Sequence, residues 1–246
     1  MKIEKDKINW IYKKLFTIRH FEERIKKIAK EKSVPGYLHT CIGSEAICVG
    51  VMAALEKDDW ISSTYRNHGH AIAKGANPEA MMKELLGKVG GTSGGKGGSM
   101  HIADFSVGML GANGVLADGL TMGVGAAQAL VLRNVDAIVT VFVGDGTTNR
   151  GPFYESLNWA MIYELPILFV CENNNFSVYS SKLNRQNPKR NVIKMARSLG
   201  VKSVKLKNHD LIKVYSCFKN LVSKVRKFPQ PYLIEIETFR TLEHCG

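Results

Sequence analysis

The stretch from Val139 to Phe176, VTVFVGDGTTNRGPFYESLNWAMIYELPILFVCENNNF, constrains the fold more than any other part of the chain. An apolar run, Ala137 to Val143, ends in Gly144-Asp145-Gly146, and a helix is expected from Pro152 to Tyr163. A second apolar run, Ile167 to Cys171, ends in Glu172-Asn173-Asn174. Both runs are short and rich in β-branched residues, as in strands buried in a parallel sheet. The unit reads as strand, loop, helix, strand. Its polar groups fall at the carboxyl ends of both strands, the edge where open parallel sheets bind ligands.

Those polar groups suit one task. Asp145 supplies a carboxylate oxygen and Asn174 an amide oxygen, while Gly144 and Gly146 allow close approach of the backbone. Amides at the start of the following helix would favour an anion. A hard cation held by a few protein oxygens and completed by phosphate oxygens is the usual Mg²⁺ arrangement. Alone, a Gly-Asp-Gly turn reads equally well as a strand end with a capping Asp. A second polar strand end in the same unit favours magnesium with a phosphorylated ligand.

Gly144-Asp145-Gly146, then 26 residues, then Asn173-Asn174 is similar to the thiamine diphosphate motif. The flanking GDGTTNRGPFYESLNWA and LPILFVCENNNFSVYS resemble the α subunit of the two-subunit 2-oxoacid dehydrogenases of the pyruvate, branched-chain and acetoin types. The resemblance runs from Trp10 to Gly246. It implies an α/β thiamine-diphosphate-binding fold, a mostly parallel sheet with helices on both faces. Residues 1–34 are expected to form an N-terminal helical segment and 35–246 the cofactor-binding domain. Relatives continue beyond the position of Gly246, so the resemblance implies a C-terminally shortened chain.

A chain of 246 residues can bury a sizeable core, and 45 % hydrophobic and 23 % charged residues are ordinary for a globular protein. The net charge of +12 is not ordinary, and much of it lies in Lys2 to Lys32 and Lys182 to Lys227. No RNA- or DNA-binding motif accompanies it. Solvated basic helix faces are the expectation, with no nucleic-acid partner. The five cysteines, Cys41, Cys48, Cys171, Cys217 and Cys245, form no CxxC pair. They read as free thiols in a reducing cytoplasm. The charged N-terminus lacks a signal-peptide core, and no apolar run is long enough to cross a membrane.

Elsewhere the periodicity predicts an amphipathic helix from Lys5 to Glu31, with Ile8, Ile11, Tyr12, Leu15, Ile18, Phe21, Ile25 and Ile28 on its apolar face. Pro35-Gly36 breaks it. A short strand precedes Tyr65-Arg66, and Arg suits a diphosphate because its fork donates two parallel bonds. His68 and His70 stay unassigned, with a zinc site as a minor reading. Helices are expected at Pro78–Leu86, Thr121–Leu132, Val192–Leu199 and Leu211–Arg226, and strands at Val201–Leu206 and Tyr232–Thr238. Gly87 to Ser99 holds seven glycines. Its composition admits a flexible linker or a phosphate-cradling loop, although no P-loop pattern is present.

The resemblance adds roles. It implies catalytic roles for His39, His101 and His244, and cofactor contacts from Tyr65, Arg66, Gly114, Leu116, Gly144, Asp145, Gly146, Thr147, Asn174 and His244. It implies Mg²⁺ held by Asp145, Asn174 and the Phe176 carbonyl. Thr238-Phe239-Arg240 and His244 fit the family's Thr-Tyr-Arg-x-x-x-His pattern. The implied reaction is oxidative decarboxylation of a 2-oxoacid, or cleavage of acetoin, with acyl transfer to a lipoyl carrier. The implied partners are a β subunit in an α₂β₂ heterotetramer and a lipoyl-carrier acyltransferase. Another thiamine enzyme, of transketolase or carboligase type, and an inactive truncated remnant stay open as alternatives.

Overall fold

The apolar runs that flank the two motif loops become neighbouring strands. The computed structural model describes residues 3–31, 34–181 and 191–245, so the basic stretch 182–190 lies outside it. In chain order the helices are α1 (Lys5–Lys30), α2 (Glu45–Met52), α3 (His68–Lys74), α4 (Pro78–Leu85), α5 (Asp118–Leu132), α6 (Gly151–Ile162), α7 (Val192–Ser198) and α8 (Leu211–Lys227). The strands are β1 (Trp60–Thr64), β2 (Met109–Asn113), β3 (Val139–Gly144), β4 (Ile167–Asn173), β5 (Phe176–Ser177), β6 (Ser180–Ser181), β7 (Lys202–Leu206) and β8 (Tyr232–Glu237).

Six strands form one sheet in the order β2-β1-β3-β4-β8-β7, with every pairing parallel. β5 and β6 make a small antiparallel ribbon just after β4. Side chains alternate across the sheet as period 2 requires. Val139, Val141, Val143, Ile167, Phe169 and Cys171 pack with α5, α6 and α7 on one face. Phe142, Leu168 and Val170 pack with α1, α2, α3, α4 and α8 on the other. This is the doubly covered parallel sheet expected from the sequence.

α1 belongs to this core: Ile11, Ile18, Phe21 and Ile25 are buried with the sheet residues, whereas Ile8, Tyr12 and Phe16 are exposed. α5 starts at Asp118, a turn before the expected Thr121. Its small residues serve close packing, because a Cβ at Gly123 would lie 2.2 Å from Val141 Cγ2. Some basic residues have local work. Lys7 Nζ donates to the Ala53 carbonyl at the end of α2, and Lys14 Nζ to the Ile72 carbonyl in α3. Arg226 pairs with Glu56, Asp59 and Asp136. Among the described residues no helix is long and apolar enough to cross a membrane.

The glycine-rich segment is neither a linker nor an open anion cradle. It wraps the Glu84 carboxylate, which accepts N–H bonds from Ser93 (2.7 Å), Gly95 (2.8 Å), Gly97 (2.7 Å) and Gly98 (3.1 Å). Glu84 is fully buried, and a Cβ at Gly91 would lie 2.4 Å from its Oε2. Burial alone would raise the Glu84 pKa; the four amide bonds outweigh it and hold the pKa below the ordinary value.

Glu84→Gln should therefore destabilise the fold by about 3 kcal/mol in urea unfolding, since buried amides lose acceptors. The carboxylate's contribution is full above its unfolded pKa and is lost as pH falls through the folded one. The gap between the wild-type chain and Glu84→Gln should accordingly narrow below about pH 4.

Candidate functional site

β3 and β4 run in register from Val139 opposite Ile167 to Gly144 opposite Glu172. The Gly-Asp-Gly and Asn-Asn turns therefore leave the sheet at the same level. On one side, Thr64 ends β1 and leads to Tyr65-Arg66; on the other, Glu237 of β8 stands opposite Asn173 and leads to Thr238. The chain reverses direction of travel across the sheet at β1, between β2 and β3. Ligand crevices form at such switch points.

A cleft opens there. Thr64, Tyr65 and Arg66 line it from β1, Gly144 to Thr147 from β3, and Glu172, Asn174, Phe176 and Ser177 from β4 and β5. Ser44, Leu116, Thr238, Arg240 and His244 complete it. A smaller cavity shares Thr64, Tyr65, Leu116 and Thr147 and reaches Phe142 and Gly119. Of the residues singled out from the sequence, Tyr65, Arg66, Leu116, Gly144, Asp145, Gly146, Thr147, Asn174, Phe176 and His244 are brought together here. His39 stands behind them, with ring centroids 4.6 Å from Tyr65 and 5.1 Å from His244. His101 is exposed, with Gly114 beside its ring, and neither lines the cleft. Arg150 is exposed at the start of α6, also away from the lining.

Asp145 opens a short 3₁₀ turn, Asp145–Asn149, and is 1 % exposed. This turn, rather than α6, supplies the backbone nearest the cleft. A Cβ at Gly144 would meet nothing within 4 Å. Asn174 Oδ1 accepts the Phe176 N–H at 2.9 Å, which folds the chain back into β5 and leaves the oxygen a second lone pair. Asp145, Asn174 and Phe176 thus line one cleft, where carboxylate, amide and main-chain oxygens are of the kind that suits a hard cation.

Two guanidinium groups line the same cleft. Arg66 donates to the Thr40 carbonyl and, at 3.0 Å, to the His244 carbonyl, which ties the segment after β8 to β1. Arg240 Nη1 donates to His244 Nδ1 at 3.1 Å and Nη2 to the Val178 carbonyl at 3.0 Å. An arginine cannot accept, so Nδ1 of His244 carries no proton and Nε2 does. Burial, then Arg66 and Arg240, pushes the His244 pKa down to about 4. Burial, then Arg66 and His244, does the same for His39. The cleft thus combines two permanent cations with one neutral imidazole, His244, backed by a second, His39. Arg240 is quoted in the sequence pattern but receives no role there; its contact with His244 emerges only in three dimensions.

Behind the cleft, α3 separates its two histidines. His68 Nδ1 donates to Glu22 at 3.2 Å, and Nε2 lies 3.0 Å from Ser99 Oγ. His70 stacks on Phe142, with Nδ1 2.9 Å from Ser63 Oγ and Nε2 3.7 Å from Glu172. Among the described residues no three His, Cys, Asp or Glu side chains converge as a metal site.

Both His39 and His244 should stay neutral down to about pH 4 in an NMR titration. Because the unfolded chain takes up these protons near pH 6.5, their contribution to stability is full above that pH and is lost as pH falls from about 6.5 to 4. Arg240→Ala should raise the His244 pKa only part of the way, since burial is the larger cause.

Comparison with known proteins agrees with this architecture. The family model described as "Dehydrogenase E1 component" matches residues 13–246. The α subunit of acetoin:2,6-dichlorophenolindophenol oxidoreductase from Cupriavidus necator is 40 % identical over 98 % of this chain and 72 % of its own length. Subunit alpha-3 of the chloroplastic pyruvate dehydrogenase E1 component from Arabidopsis thaliana is 35 % identical over 95 % of this chain, which spans 56 % of that protein. The crystal structure of transketolase from Campylobacter jejuni superposes with a TM-score of 0.72 at 18 % identity, covering 97 % of this chain and 38 % of the transketolase. That likeness is one of fold. With a family match over nearly its whole length and a 40 % identical relative, the chain belongs to the dehydrogenase E1 component family.

Proposed function

We propose that this chain is the α subunit of a thiamine-diphosphate-dependent dehydrogenase acting on a 2-oxoacid or acetoin. The observation that carries this reading is one cleft lined by both the Gly144–Thr147 turn and Asn174, at the level ends of adjacent strands. Asp145, Asn174 and the Phe176 carbonyl fit Mg²⁺, and the open space at Gly144 leaves room for phosphate oxygens beside it. Arg66 and Arg240 supply positive charge for an anionic ligand. When bound, the cofactor supplies a carbanion and an electron sink for breaking the bond next to a carbonyl.

The chain's own residues bind, orient and exclude water. Tyr65, His39 and His244 form an aromatic wall at the Arg66 side of the cleft. His244 holds its proton on Nε2, so it can donate a hydrogen bond without carrying charge. Leu116, with Thr64, Tyr65 and Thr147, lines both the larger cleft and the smaller cavity. The relatives are named as α subunits of larger enzymes. Those names support a partner subunit; a β subunit in an α₂β₂ assembly and acyl transfer to a lipoyl-carrier acyltransferase are part of the proposal itself.

Titration calorimetry of thiamine diphosphate with Mg²⁺, on the chain alone and with the co-expressed partner subunit, tests the proposal. Binding should require Mg²⁺. Asp145→Ala should weaken it by about 100-fold or more, the upper end of the loss from disturbing a ligand's support. No Mg²⁺-dependent binding in either preparation would sink the cofactor reading.

A further inference from the structure

The turn after β4 is governed by a residue on the next strand. Asn173 is 2 % exposed. Its Nδ2 donates to Glu235 Oε1 at 2.6 Å, its Oδ1 accepts the Asn175 N–H at 3.0 Å, and its carbonyl accepts the Thr238 N–H at 3.0 Å. Glu235 lies on β8 opposite Cys171, two residues along from the register partner of Asn173, so the contact is a same-face diagonal pair. Nothing in the local sequence around either residue announces it.

Glu235 is itself 2 % exposed, and a buried carboxylate is costly unless paired. Its second oxygen lies 3.9 Å from Lys205 Nζ, which also bridges to Glu237 at 2.6 Å and is 38 % exposed. Lys205 therefore balances the charge from the solvent side, and Asn173 takes the hydrogen bond from the cleft side. A carboxylate accepts only, so it decides which way the Asn173 amide faces: nitrogen toward Glu235, oxygen toward the Asn175 N–H. The reverse orientation would set two oxygens against each other. The selected orientation closes the turn that holds Asn175 in the left-handed region at φ 62°. Asn174 and Phe176 flank that residue, and Asn174 Oδ1 closes the next turn on the Phe176 N–H.

We infer that Glu235 is a positioning residue for the cation end of the cleft. By locking the Asn173 amide, it holds the paired turns that aim Asn174 Oδ1 and the Phe176 carbonyl. The inference rests on reading Asp145, Asn174 and Phe176 as the Mg²⁺ set.

The test compares Glu235→Ala, Glu235→Gln, Asn173→Asp and the exchanged pair Asn173→Asp/Glu235→Gln in the full chain with its co-expressed partner subunit. Mg²⁺ is titrated calorimetrically at fixed thiamine diphosphate, and the melting temperature is recorded without ligand. Glu235→Ala should weaken Mg²⁺ by about tenfold or more, as loss of a supporting hydrogen bond does. Glu235→Gln can present either an oxygen or an NH2 group to Asn173, so it no longer fixes the amide and should weaken Mg²⁺, though by less than Glu235→Ala. Asn173→Asp sets two carboxylates together and should weaken Mg²⁺. The exchanged pair should recover it. There the amide introduced on β8 donates to the carboxylate introduced on β4, whose other oxygen still accepts the Asn175 N–H. A purely structural role would lower the melting temperature without changing Mg²⁺ affinity and would give no recovery. If Glu235→Ala does not fold, the exchanged pair alone decides. Wild-type Mg²⁺ affinity in Glu235→Ala, with binding lost in Asp145→Ala, would overturn the positioning role and leave the site reading standing. A wild-type chain that binds no Mg²⁺ would overturn both.

Discussion

All six strands of the main sheet point the same way, so their carboxyl ends share one edge. Parallel strands need crossover helices, and these cover both faces with apolar side chains. The faces are therefore closed to a ligand, and the edge is the open place. The level alignment of β3 with β4 turns that general rule into a particular site. A slip of β3 by one residue against β4 would turn Phe142 to the opposite face and put the two polar turns out of level.

Charge in the cleft is arranged by burial as much as by residue type. Arg66 and Arg240 remain cationic and spend part of their donors on carbonyls of the segments around them. In doing so they hold His244 in place and add to the burial that keeps it neutral. The same contacts tie residues near position 40, the end of β1 and the stretch after β8 into one wall. Electrostatic character and loop order at this site are thus two results of the same hydrogen bonds.

β3 and β4 were legible because their apolar, β-branched runs state burial on both faces, and β8 because its side chains alternate along the strand. α2 and α3 were not. Ile47, Cys48, Val49 and Val51 of α2, and Ala71, Ile72 and Ala73 of α3, are buried around most of the helix, which erases the 3.6-residue alternation. β2, reading MLGAN, lacks β-branched residues and passes for a loop. Within the site, Asp145, Asn174, Tyr65 and Arg66 announce themselves through short-range patterns. Arg240 on His244 and Lys205 near Glu235 depend on how distant strands lie side by side. The Asn173–Glu235 bond spans 62 residues, and no local signal encodes such a pair.

The glycine-rich segment carries one further consequence. Its organising anion, Glu84, precedes the amides it binds by only nine to fourteen residues. Closing so short a circuit costs little chain entropy, whereas the parallel sheet must gather strands from positions 60 to 237. A stretch whose composition suggests the slackest part of the chain is held by short-range bonds to one buried carboxylate, and through Ser99 it is also joined to His68 and Asn67.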